Sequence, residues 1–197
     1  MGQCRINRFR KRIDLNYTNL PHNVSKTISF FESNKLWYKI DQNLPAHSCR
    51  DAANKRNRLG HTGIRLADEL KSFFGKMTKA DNSWQYIVIH CRGNDQLDFE
   101  KLKLLLNATD IERLEEVELM KVFNSKYGTV NPFTLDPFFL DLPILQVFDK
   151  QITKSIYEPK TMMTNAGDLT YSVEFKPKQL IKAVLHANVG DVVISEA

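Results

Sequence analysis

Apolar residues recur at helical spacing in some stretches of this chain and crowd into short β-branched runs in others. In "LPHNVSKTISFFESN", Val24, Ile28 and Phe31 fall on one helical face, and Asn23 or Ser25 is placed to cap it. "KLWYKID" reads as a short strand. "AHSCRDAANKRNRLG" predicts a second helix, with Ser48 and Asp51 as a variant of the capping box and Gly60 at its end. "LADELKSFFGKM" turns towards an extended segment, and "SWQYIVIHCRG" is the clearest strand, rich in β-branched and aromatic residues. "DFEKLKLLLNA" places Phe99, Leu102, Leu105 and Leu106 on one helical face.

"TDIERLEEVELMKVF" predicts a further helix, with Thr109 and Glu112 as a capping box and Ile111, Leu114, Val117, Met120 and Val122 apolar. "YGTVNPFTLD" fits neither period and reads as a stiff loop between buried elements. "FFLDLPILQVFD" is a buried strand interrupted by Pro143, which predicts an edge or a bulge there. "TMMTNAGDLTYSVEF" predicts two strands joined by a turn at Asn165–Asp168. "KPKQLIKAVLHA" starts a helix with Pro177 near its first position, and "DVVIS" is placed to end the sheet. Interspersed helices, strands and hairpins predict a mixed α/β, or α+β, domain over residues 20–197, preceded by an extension at 1–19.

Charge changes the picture at one end. The formal net charge is +5, and "CRINRFRKR" holds Arg5, Arg8, Arg10, Lys11 and Arg12 with no acid before Asp14. Those five cations equal the whole excess, so a near-neutral body carries a basic arm. Such an arm is either a solvated tail or a set of phosphate contacts that releases counterions from a nucleic acid. No apolar run approaches a membrane span or a secretory signal, and "MGQCRI" has Ile6 where a myristoylation site wants Ser or Thr. Cys4, Cys49 and Cys91 are widely spaced and odd in number, which fits a reducing, cytoplasmic setting better than a disulfide framework.

Most catalytic signatures are missing. There is no Rossmann or Walker glycine motif and no G-x-S-x-G elbow. His22, His47, His61, His90 and His186 form no metal-like pair, and His90 and Cys91 point to opposite faces of their strand. No metal or cofactor is expected. Cys49, close to His47 at a helix start, is either an activated thiol or a small buried one among alanines.

What remains is an ordered set of segments: "LPAHSCRDAANKR", "DELKSFF", "GTVNPF" and "NAGDLTYSVEFKPKQL". In this order the chain resembles, over residues 22–195, the YbaK and prolyl-tRNA synthetase editing-domain family of aminoacyl-tRNA deacylases. The most specific part is Gly-x-x-x-Pro-Phe, here Gly128, Pro132 and Phe133, together with Lys71. The resemblance implies a central mixed, largely antiparallel sheet or partly closed barrel flanked by helices. It implies a trans-editing hydrolase that cleaves the ester of mischarged tRNA with a positioned water, without metal or covalent intermediate. Lys71, Gly128 and Pro132 would carry the chemistry. His47, Cys49, Thr129, Val130, Asn131, Phe133, Asn165, Ala166, Gly167 and Ser172 would line the substrate site, and the basic arm would contact tRNA. Partners would be aminoacyl-tRNA and, among proteins, an aminoacyl-tRNA synthetase.

Physical chemistry agrees with that reading. An aminoacyl ester is already activated, so its hydrolysis asks chiefly for a positioned water and donors for the developing oxyanion. Glycine admits close backbone approach, and proline stiffens the loop and holds Asn131 extended. A plain structural turn is the competing account of the same loop. Thr134 stands where relatives commonly have glycine, and Tyr171 and Ser172 occupy a region that carries an Asp or His in some relatives. Either departure would alter amino-acid specificity or leave little activity, and Tyr171 and Ser172 favour the alternative of a catalytically weak tRNA- or protein-binding module on the same fold.

Overall fold

The computed structural model describes residues 19–58, 63–135, 144–154, 161–184 and 187–194. The basic arm, Gly60, His61, Pro143 and His186 lie outside the described residues. The first helix, α1 (His22–Ser33), buries Val24, Ile28 and Phe31 as the spacing predicts, together with Phe30. Neither Asn23 nor Ser25 caps it; Pro21 occupies the N-cap. After β1 (Tyr38–Gln42), helix α2 (Cys49–Arg58) opens with half of the expected capping box, the return bond reaching His47 instead of Ser48. The Asp51 N–H donates to Ser48 Oγ at 3.1 Å, and the Asp51 carboxylate accepts from the His47 N–H at 3.2 Å.

Strands β2 (Leu70–Thr78) and β3 (Trp84–Arg92) form a long antiparallel hairpin. Residues 87–91 of β3 are all buried, which explains the nearly unbroken apolar run. Helix α3 (Phe99–Leu106) is capped by Asp98, whose carboxylate accepts from the Glu100 and Lys101 N–H groups.

The next segment corrects the sequence reading. Asp110–Arg113 are a strand, β4, with Ile111 opposite Met77, and only Glu116–Phe123 are helical, forming α4. The Thr78 carbonyl accepts from both the Thr109 N–H (2.8 Å) and its hydroxyl (3.0 Å), so Thr109 joins the sheet edge rather than capping a helix. Two periods then follow one another. Ile111 is buried by the strand and Leu119 and Phe123 by the helix, while Val117 is 82% exposed.

Strand β5 (Ile144–Asp149) is not an edge: it lies parallel between β3 and β8 (Asn188–Gly190). Strands β6 (Met162–Asp168) and β7 (Tyr171–Phe175) turn at residues 169–170, later than expected, and Asn165–Asp168 is a bulge within the pair. Helix α5 (Pro177–Ala183) has Pro177 in its first turn. "DVVIS" contributes one bridge, Val193 to Leu97, after β8.

Among the described residues the strands build two sheets, not a closed barrel. One has the order β4-β2-β3-β5-β8, antiparallel as far as β3 and parallel beyond it; the other is antiparallel, β1-β7-β6. A parallel bridge between Glu69 and Met163 links them. One core fills the space between α1, the small sheet and α5, and includes Phe133 and Phe148. Another packs α4 on the large sheet around Phe74 and Val88, and includes Val130 and Leu135. The loop between α4 and β5 is thus anchored in two cores at once.

Candidate active site

The loop after α4 is held by side-chain bonds rather than by regular structure. Asn131 is fully buried. Its Oδ1 accepts from the N–H groups of Phe133 (3.0 Å) and Thr134 (3.1 Å), closing the turn around Pro132. Its Nδ2 donates to Thr27 Oγ1 on α1 (3.0 Å) and to the Asn165 carbonyl in the β6 bulge (3.3 Å). Asn165 answers: its Nδ2 donates to the Val130 carbonyl at 3.1 Å, and its Oδ1 accepts from the Gly167 N–H at 2.9 Å. The Thr27 hydroxyl donates to the Ala166 carbonyl at 2.9 Å. Two asparagines and a threonine thereby clasp the loop to the bulge and to α1, with buried polar groups paired on each side.

Gly128 sits at the exposed tip of this loop with φ +82°, in the left-handed region that glycine enters without steric cost. A Cβ there would stand 3.2 Å from Leu169 Cδ2, across the mouth of a cavity. That cavity, about 560 Å³, lies between the start of α2, the first residues of β2, the Gly128 loop and the β6–β7 turn. Its lining includes His47, Cys49, Lys71, Gly128, Val130, Asn165 and Tyr171. Gly93 lets α2 approach: a Cβ there would come within 2.5 Å of the Leu66 carbonyl and 2.9 Å of Cys49 Cβ.

The cavity is basic. Among the described residues, Arg50, Arg56, Lys71 and Arg113 line it, against the single carboxylate of Glu69. Arg56 and Glu69 form a buried ion pair, and Arg56 also donates to the Thr164 carbonyl at 3.4 Å. Burial pushes the Glu69 carboxyl up, and Arg56 opposes that shift. Arg113 lies over the Tyr127 ring, 4.9 Å from its centre, beside Gly128. The Lys71 ammonium donates to the Asp95 carbonyl. Burial, with Glu69 nearby, pushes the Cys49 thiol up to about 11, so it is a neutral thiol near pH 7 and not an activated nucleophile.

The expected site residues divide into two groups. His47, Cys49, Lys71, Gly128, Val130 and Asn165 meet at the cavity. Thr129, Asn131, Pro132, Phe133, Ala166, Gly167 and Ser172 are not in its lining. Thr129 spends its hydroxyl on the Lys126 backbone. Pro132 is buried, and its carbonyl accepts from Gln146. Phe133 is a core residue against Phe30, Phe31 and Phe175, because its ring is the anchor of the turn that Asn131 closes. Ala166 is buried in the same core, Gly167 packs on Asn23, and Ser172 is buried with its hydroxyl near the Asp41 carbonyl at 3.5 Å. Sequence reasoning missed Arg56, Glu69, Ser72 and Arg113, which also line the cavity.

A model of the aminoacyl-tRNA editing domain matches residues 45–183. No curated protein matches the chain. Among solved structures, one described as a candidate trans-editing enzyme for prolyl-tRNA synthetase superposes with a TM-score of 0.67 at 17% identity, covering 90% of this chain and 100% of that one. A hypothetical protein gives a TM-score of 0.67 at 18% identity, covering 86% of this chain and 99% of that one. A scaffold used for epitope grafting gives 0.67 at 18%, covering 90% and 100%. At these identities the likeness is one of fold.

Proposed function

Because the chain belongs to the aminoacyl-tRNA editing domain family, we propose that it hydrolyses the ester of mischarged aminoacyl-tRNA, acting apart from a synthetase. The observation that carries this reading is the clasped loop: Asn131 bonds the Asn165 carbonyl and Asn165 the Val130 carbonyl, two residues from Gly128, which lines a basic cavity. Donors fixed before substrate arrives cost no reorganisation when charge develops, and one such donor is worth roughly 10²–10³ in rate. Arg50, Lys71 and Arg113, left over once Arg56 and Glu69 have paired, suit the phosphates of a tRNA 3′ end. Lys71, half-buried on β2, exchanges its contact with the Asp95 carbonyl for the acyl carbonyl or the terminal phosphate. A neutral Cys49 leaves water as the nucleophile. His47 and Cys49, at the start of α2, bound the space for the amino-acid side chain.

The test is single-turnover deacylation of matched tRNAs carrying alanine, cysteine, serine, threonine or proline. At least one should be hydrolysed, and Lys71→Ala should remove most of that rate. The variant should stay folded, since a single hydrogen bond is worth about 1 kcal/mol. Tight tRNA binding with no turnover on any ester would assign the chain to the alternative, a binding module; an unchanged rate in folded Lys71→Ala would remove Lys71 from the chemistry.

A further inference from the structure

Three hydrogen bonds run in series behind the cavity wall. Ser72 Oγ lies 2.9 Å from His90 Nδ1, His90 Nε2 lies 2.9 Å from Gln146 Oε1, and Gln146 Nε2 lies 3.4 Å from the Pro132 carbonyl of the loop. Their direction is fixed at the loop end, because a carbonyl can only accept. Gln146 must turn its NH₂ to Pro132, and therefore its Oε1 to His90. His90 Nε2 must then carry the ring proton, and Nδ1 keeps a lone pair. Ser72 gives its one proton to Nδ1 and presents only lone pairs to the cavity it lines. The opposite arrangement would set two carbonyl oxygens against each other where Gln146 is 2% exposed and His90 fully buried.

This is not a nucleophile and its base. Burial holds His90 at about 4, and the hydrogen bond to an amide, rather than to a carboxylate, opposes that only in part, so the ring is neutral near pH 7. We propose that His90 and Gln146 are positioning residues that hold Ser72 as a hydrogen-bond acceptor, and that Ser72 receives an N–H or O–H donor lying beside the ester carbonyl of the substrate. The proposal rests on the deacylase reading. An aminoacyl ester on ribose offers two such donors, the α-ammonium and the neighbouring ribose hydroxyl. The ester carbonyl is itself an acceptor. Ser72 repels it, which leaves that oxygen to Lys71 and the Gly128 loop.

The experiment uses the full chain and the ester that it hydrolyses fastest. Ser72→Ala should lower kcat/KM by about tenfold or more, and Ser72→Thr, which keeps the oxygen, should retain most of the rate. Gln146→Leu should cost about as much as Ser72→Ala, and the double variant no more than either alone; additive losses would mean separate structural roles and would overturn the relay. The ratio of parent to Ser72→Ala rates should fall to near one on tRNA ending in 2′-deoxyadenosine if ribose is the donor, or on the desamino ester if the ammonium is. Persistence of the full ratio on both substrates would overturn the proposal. ¹⁵N NMR of the unsubstituted protein should show His90 protonated at Nε2 and bare at Nδ1 near pH 7; the other tautomer would overturn the relay even where variants fail to fold. If no ester is hydrolysed, the deacylase reading fails, and the donor proposal falls with it, while the tautomer still decides the relay.

Discussion

Replacing Asn131 by alanine should cost more stability than any other single polar truncation in the loop clasp. The side chain is fully buried and makes four hydrogen bonds, two through Oδ1 and two through Nδ2. Alanine leaves the Phe133 N–H unpaired inside a buried turn, at about 1–3 kcal/mol. Thr134 is half-buried, so its N–H can turn to water, and its loss amounts to about 1 kcal/mol. The lost Nδ2 bonds and the small void add about 1 kcal/mol. The total, about 3–5 kcal/mol, is a large share of the ~5–15 kcal/mol that holds a domain folded. It should lower Tm by on the order of 10 °C in a chain of this size. Asn165→Ala is the control. Asn165 is half-buried and its side chain makes two bonds, to Val130 and Gly167, so about 1–2 kcal/mol is expected. Urea titrations with unchanged slopes, run beside thermal melts, give both numbers. A cost below about 1 kcal/mol for Asn131→Ala, or equal costs at the two positions, would show that packing of Phe133 alone holds the loop.

Gly128→Val should reduce deacylation on the order of 10²-fold, since a β-branched residue is strained at φ +82° and its side chain meets Leu169 at the cavity mouth, whereas Thr134→Gly should change the rate little; parent activity in a folded Gly128→Val protein would leave the loop a mere turn. Deleting residues 2–12 should weaken tRNA binding and lower its salt slope by up to about one unit per lost phosphate contact, with single-turnover chemistry unchanged; an unaltered slope would make the arm a solvated tail. Burial lowers His90 from 6.5 to about 4, so the unfolded chain takes up its proton first as the medium is acidified. Stability present above about pH 6.5 should be lost as pH falls towards 4, and a folded His90→Asn variant should lack that slope in acid titrations.

The parts of the fold that a single period governs were legible. Val24, Ile28 and Phe31 announce α1, and the crowded β-branched run announces β3, because burial on one helical face or on both faces of a strand leaves its mark locally. The β4–α4 segment was not legible, because Ile111 and Leu114 fit a helix as well as a strand that ends where a helix begins. In the site, Gly128 and Pro132 could be read as a stiff loop from backbone chemistry alone. What holds the loop could not: Asn131 meets Asn165 and Thr27 across the fold, and no spacing rule links them. The family resemblance placed Phe133 and Ser172 in the substrate site, but both side chains are buried in the protein. His90 was read only as a strand residue beside Cys91, since its partners Ser72 and Gln146 come from the two strands flanking β3. Arg56 and Glu69 look in sequence like solvated helix and turn charges, and their mutual contact, with the Thr164 carbonyl on Arg56, is made only in the fold.

The clasp also fixes when in the life of the chain the cradle can exist. Thr27 and Asn131 are 104 residues apart, and Thr27 and Ala166 are 139 apart. The β1 strand, made early, pairs with β7, made near the end. A growing chain emerges N-terminus first, and contacts between distant residues must wait for the later partner. Until β6 has emerged, Asn131 has neither the Asn165 carbonyl to bind nor the bulge that braces Thr27. The turn around Pro132 can close through Asn131 Oδ1 as soon as Phe133 and Thr134 are made, but its clasp to the bulge has to wait for β6.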